Sequence, residues 1–201
     1  INVCMAMGTA LLPRLSRIKH NGEMYVFNNI IKKALKVLLM GTSACALGII
    51  LTADKLILVL FGEAFYPSIN ILMILSGLII IRSLSNFFLQ VSLCLNEDKK
   101  TTVVYFCAML LNVILNLLAI PLLGGQGASI ASIISELFIF ITLILIVRKH
   151  IRIILGKNFI FSLFSSLITM AISVEIAKFL LFPNIIQLGI EIVVGVISFA
   201  F

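Results

Sequence analysis

Arg82 and Glu136 each stand alone in a long apolar run, Arg82 between Ser68 and Asn96 and Glu136 between Gly124 and Val147. A third run, Val103 to Leu123, carries no charge but holds Asn112 and Asn116. In hydrocarbon a lone charge is costly, so such residues either neutralise each other or line a path for an ion or a polar substrate. The two asparagines are four residues apart and share one helix face, where they bond a neighbouring helix or contact a sugar. Arg14 and Arg17 follow Pro13 directly. They read either as a helix stop and interface anchor or as a gate that contacts a diphosphate, because a guanidinium matches phosphate oxygens. Arg82, Asn112 and Glu136 each fall near the middle of their runs, so they share a depth at about 1.5 Å rise per residue. Consecutive helices are usually neighbours. The spacing therefore predicts a buried Arg82–Glu136 pair close enough to Asn112 to share hydrogen bonds.

The elements that must position these groups are membrane helices. Of 201 residues, 62% are hydrophobic and 11% are charged, a composition of the membrane class. The 15 Lys and Arg against 8 Asp and Glu sit in short connections between oily runs, a pattern of topology rather than of a nucleic-acid face. Cys4, Cys45, Cys94 and Cys107 have no metal or redox spacing and read as small buried hydrophobes. The sequence contains no phosphate loop, no nucleophile elbow and no His/Glu metal spacing, so nothing points to an enzyme, a metal or a cofactor. The chain starts at Ile1 and stops inside an apolar run at Phe201, and it reads as a fragment cut at both ends.

Runs of spanning length predict helices at about 34–53, 68–95, 102–121, 126–147 and 158–181, with partial helices at 1–12 and 185–201. The stretch from Arg14 to Lys36 reads as an interfacial amphipathic connector, and Leu56 to Phe61 as a short interfacial segment. Pro121, Gly124, Gly125 and Gly127 mark a tight turn that closes a central transmembrane hairpin. Glu175 and Lys178, one turn apart, read as a mutual pair.

Four stretches in order carry a resemblance. They are Leu11 to Arg17, Ala53 to Phe65, Leu111 through Asn116 to Pro121, and Gly124 to Ala131 with Ser135-Glu136. Together they resemble the second half of bacterial polysaccharide flippases, in the superfamily that also holds lipid II flippases and multidrug and toxic compound extrusion transporters. The resemblance implies an all-α integral membrane fold, with residues 1–201 as a single lobe of a two-lobed transporter of twelve to fourteen helices. It implies a substrate, an oligosaccharide on polyprenyl diphosphate, flipped from the cytoplasmic to the outer leaflet of the bacterial inner membrane for O-antigen, capsule or exopolysaccharide assembly. It further implies membrane lipids and polysaccharide polymerase or assembly proteins as partners, and ion coupling with the ion open. A lipid II flippase, a drug or cation antiporter, and a non-transporting scaffold are the alternatives.

Alternate connections differ in charge. One set holds Arg14, Arg17, Lys19, Lys32, Lys33, Lys36, Lys99, Lys100, Arg148, Lys149, Arg152 and Lys157, and the other only Lys55 and Lys178. The rich set belongs in the cytoplasm. In a background without the four native cysteines, Glu63→Cys, Gly125→Cys and Asn184→Cys should react with an impermeant thiol reagent added to intact cells. Lys19→Cys, Lys99→Cys and Lys149→Cys should not, and outside labelling at residue 99 would invert the topology.

Overall fold

In the computed structural model the described residues are 13, 15–151, 156–178 and 184–200, with only the backbone described at 184–186 and 200. Six long helices follow in order: α1 (Met24–Phe61), α2 (Ser68–Cys94), α3 (Asp98–Leu123), α4 (Gly125–Val147), α5 (Lys157–Lys178) and α6 (Asn184–Ala200). The first five are long and apolar enough to cross a membrane. The chain thus has the all-helical, multi-pass architecture expected of it.

α1 is longer than the expected helix at 34–53. Residues 15–20 are helical and end at Gly22, whose φ of 75° allows Glu23 N–H to reach back to Ile18 O at 3.2 Å, closing a left-handed helix stop. From Met24 onward no proline intervenes, and one helix of 38 residues extends about 57 Å. That exceeds a hydrocarbon core of roughly 30 Å, so its first turns, with Lys32, Lys33 and Lys36, lie beyond it. Most of the expected connector, and all of the expected segment Leu56–Phe61, are therefore parts of α1. Gly62 at φ 82° ends the helix before a 3-10 turn, Glu63–Phe65.

The chain divides into two compact units, residues 1–39 with 78–155, and residues 40–77 with 156–201. In the first, Phe27, Ile31, Leu35 and Leu38 place one face of α1 in a core with Phe87, Phe88 and Val91 of α2. Val104 and Ala108 of α3 and Ile139, Leu143 and Val147 of α4 join it, as do Leu15 and Ile151 outside these helices. At one end of this unit Asn96, the one described non-glycine residue at positive φ (61°), stops α2, and Glu97 N–H bonds Ser92 O at 3.1 Å. Glu97 then meets Lys100 at 2.7 Å and His150 at 2.9 Å. The hydrogen bond from Lys100, followed by that to His150, holds its carboxyl below the usual carboxylate range. Lys19 Nζ donates to Cys94 O at 2.9 Å.

In the second unit α5 packs on α6, while Ala53, Ile57 and Ile69 form a small buried cluster. Gln187 Nε2 donates to Lys178 O at 2.9 Å, and Lys178 meets Glu175 at 2.8 Å. The expectation of buried cysteines holds only for Cys94. Cys45 and Cys107 are exposed, because the outer faces of a membrane helix are as apolar as its core; Cys4 lies outside the described residues.

The α3–α4 hairpin closes as Gly124 takes φ 56°, ψ −134°, a region open in practice to glycine alone. Pro121 does not end α3. It sits in the last turn, where its missing N–H leaves only the carbonyl of Leu117 without an intrahelical donor. A Cβ at Gly127 would stand 2.3 Å from Ala119 O and 2.6 Å from Ala119 C. Neither atom can yield without moving a helix. Gly127→Ala should therefore cost about 1–3 kcal/mol by overpacking, read as a lowered thermal midpoint of the full chain in detergent. Gly41→Ala, with open space around the new methyl, should not lower it, and equal midpoints for the two variants would remove the close approach.

Candidate functional site

The helix periodicity carries α3, α4 and α2 polar groups to one region of the first unit. Asn112 Nδ2 donates to Ser135 Oγ at 3.1 Å, across α3 and α4. Asn116 Nδ2 donates to Asn112 Oδ1 at 3.0 Å and to Asn112 O at 2.9 Å. Ser135 Oγ also donates to Ala131 O at 2.8 Å, so this hydroxyl both gives and receives. Next to it on α4, Glu136 Oε2 lies 4.0 Å from Arg82 Nη1 of α2. The carboxylate is largely covered, with 13% of its side-chain surface exposed, whereas Arg82 keeps 48%. Ser85 Oγ reaches Glu136 O at 3.5 Å. Tyr105, two turns before Asn112, lies within electrostatic reach of both charges.

The structure thus brings Arg82 and Glu136 together, and Asn112, Asn116 and Ser135 together. It does not form the expected hydrogen bonds between Asn112 and the charge pair, because Ser135 occupies the asparagine amide. Nor is Arg82 buried within this chain. Asn112, Asn116 and Pro121 line a shallow, largely apolar hollow of about 350 Å³ beside Val113, Leu117 and Ile120. Pro13 and Arg17 are exposed, and Arg14 lies outside the described residues. Gly124 and Gly127 shape the hairpin.

Sequence reasoning missed the second unit's charge pair. Lys55, assigned to a connection, lies inside α1 and forms an ion pair with Glu191 of α6. Lys55 stands next to Asp54, which made it read as a connection, and the available signal was Glu191, alone in its apolar run. Among the described residues no cluster of three His, Cys, Asp or Glu side chains is placed to hold a metal.

One family has a sequence profile that matches the chain over residues 3–193, described as "Lipid II flippase MurJ". Among solved structures, the chain is similar to "Lipid II flippase MurJ, inward closed conformation", at 21% identity and a TM-score of 0.68, covering 96% of this chain and 41% of that one. This likeness bears on the fold, and the chain spans less than half the length of that structure's chain. No curated protein matches.

If the Arg82–Glu136 contact stabilises the helices, removing one partner strands the other. Arg82→Gln and Glu136→Gln should each lower stability by about 1–2 kcal/mol, less than the 3–5 kcal/mol of fully buried pairs because Arg82 is half exposed. The double substitution should cost less than the two together, read as thermal midpoints in detergent. Additive losses would mean that the two side chains do not interact.

Proposed function

This chain belongs to the lipid II flippase MurJ family, and from that premise we propose that it is part of a transporter that moves a polyprenyl-diphosphate-linked saccharide precursor across the bacterial cytoplasmic membrane. Lipid II is favoured as that precursor over the O-antigen type of repeat unit that the sequence motifs suggested. The observation that carries the reading is the family match over nearly the whole chain. The chain supplies a flippase family's helices, so its work is binding and movement rather than bond-making.

Physical chemistry assigns roles consistent with that cargo. Such a lipid has an isoprenoid tail, a doubly charged diphosphate and a polar saccharide head. Arg82 has guanidinium donors left over from its contact with Glu136, and charge-assisted bonds from arginine suit phosphate oxygens. Asn112 and Asn116 present amide groups beside an apolar hollow, a combination that tolerates a polar head next to hydrocarbon. Arg14 and Arg17 are placed by the charge asymmetry at the cytoplasmic end, where an incoming diphosphate is met. Glu136 is the candidate for ion or proton coupling, and the ion stays open. Membrane lipids surround the exposed apolar faces, and the proteins that consume the flipped precursor are the natural partners.

Expression of the full-length protein should restore growth and outer-leaflet lipid II in cells depleted of their own lipid II flippase. Arg14→Ala combined with Arg17→Ala should leave membrane insertion intact while reducing that rescue at least tenfold. Rescue of a repeat-unit flippase deletion without rescue of lipid II depletion would return the assignment to surface polysaccharide. Full rescue by the double variant would leave the two arginines with an anchoring role only.

A further inference from the structure

At the end of the second unit that the charge asymmetry places outward, a pocket of about 350 Å³ opens between α1, the start of α2 and the end of α5. Ile50 and Asp54 of α1 are one turn apart, as are Asn70 and Met73 of α2, with Tyr66 one turn before Asn70. Such spacing puts each set on one helix face, and all five line the pocket together with Lys178 of α5. The charges here do not cancel. Lys55 is taken by Glu191 and Lys178 by Glu175 at 2.8 Å, which leaves the half-buried Asp54 without an ion pair among the described residues. A carboxylate so placed favours a cation or N–H donors beside it. Glu175 keeps 55% of its side-chain surface exposed. An exposed pair of this kind is worth little, so the Lys178 ammonium can change partner at small cost.

We propose that this pocket holds the headgroup of an outer-leaflet phospholipid with a primary amine, phosphatidylethanolamine, its ammonium donating to Asp54 and the Asn70 carbonyl and its phosphate accepting from Lys178 and the Tyr66 hydroxyl. The volume, at the lower end of small-molecule sites of about 300 to 1,000 Å³, suits a headgroup rather than a whole lipid. The chains stay in the bilayer, beside the exposed Ile50 and Met73. A zwitterion is neutral overall, so it meets the unpaired carboxylate and the exchangeable ammonium without adding net charge. A choline head has no N–H to give Asp54, and the single ring of Tyr66 on this wall is not an aromatic cage. A glycerol head would set a second negative charge near Asp54 with nothing to balance it. A saccharide would leave Lys178 unused and press hydroxyls against Ile50 and Met73. None of these residues is assigned to the transported precursor.

The full-length protein, stripped of lipid in detergent, is titrated with single phospholipids of identical chains, and the bound copies are counted by native mass spectrometry. Phosphatidylethanolamine should bind at about tenfold lower concentration than phosphatidylcholine, the ratio that one hydrogen bond to a charged acceptor supplies, with the N,N-dimethyl lipid between them. Asp54→Asn, nearly isosteric, should erase that ratio. Lys178→Gln should weaken both lipids alike and keep the ratio, because the phosphate is common to both. Glu63→Gln, at an exposed acid of the same end but outside the pocket, should change neither, and thermal midpoints without added lipid show that each variant is folded. Glycerophosphoethanolamine, the same head without chains, should not displace the lipid. Equal binding of the amine and choline lipids, tightest binding of phosphatidylglycerol, or a ratio that survives Asp54→Asn would each overturn the proposal. Displacement by the free headgroup or by a soluble disaccharide would overturn the lipid as occupant.

Discussion

The first unit depends on the close approach of two backbones where Gly127 of α4 lies against the carbonyl of Ala119 in α3. Lipid gives helices no hydrophobic reason to associate, so contact rests on van der Waals packing and on the few polar bonds that span the interface. A glycine at the crossing brings the axes close enough for those bonds to form. It also sets the register. Asn112 lies seven residues before Ala119 and Ser135 eight residues after Gly127, each about 10–12 Å along its helix. An antiparallel hairpin closed at Gly124 therefore brings these two side chains level, and their hydrogen bond follows from the turn.

Most other polar side chains in the helices are satisfied locally and hold nothing together. Ser129 and Ser132 bond the carbonyls of Gly125 and Ala128, four residues back. Thr142, Thr169 and Ser173 do the same. With a hydroxyl bonded to its own helix, a serine crosses hydrocarbon at little cost. The contacts that do join elements include Asn112 with Ser135, Ser92 with Thr101 at 2.7 Å, Ser85 with the carbonyl of Glu136, Gln187 with that of Lys178, Lys19 with that of Cys94, and the charge pairs. A small number of such bonds, rather than a dense polar core, determines which helix faces which.

Legibility in the sequence followed the same division. The spans were readable because a run of about twenty apolar residues has few other uses, and the hairpin turn was readable from Pro121 and the glycines. Helix ends were not. Charges such as Lys32, Lys33 and Asp54-Lys55 read as connections, yet a helix leaving the bilayer stays helical in water unless something stops it. Gly22 and Gly62 were the stops, through positive φ. The site was readable in part. Depth along parallel rods brought Arg82 near Glu136, but depth is blind to rotation about each helix axis. Rotation decided that Asn112 met Ser135 rather than its neighbour Glu136. It also decided that Lys55, counted with an outer connection, turned inward to Glu191.

Glu136 and Glu191 show why an intramembrane ion pair is not one kind of object. Glu136 is mostly covered while its partner Arg82 is half exposed, and their separation of 4.0 Å is long for a charge-assisted bond, which is usually about 2.7–2.9 Å. The unsatisfied capacity there is donor capacity, on a guanidinium with five N–H groups. In the second unit both members are covered, Lys55 with 16% of its side-chain surface exposed and Glu191 with none, and the unfilled group is an acceptor, Glu191 Oε2. A site with spare donors beside asparagine amides suits an anion with a polar head. Glu191 has no exposed surface, so its spare acceptor is closed in by protein. Similar residue types, set at different burial and spacing, thus leave opposite halves of a hydrogen bond unfilled.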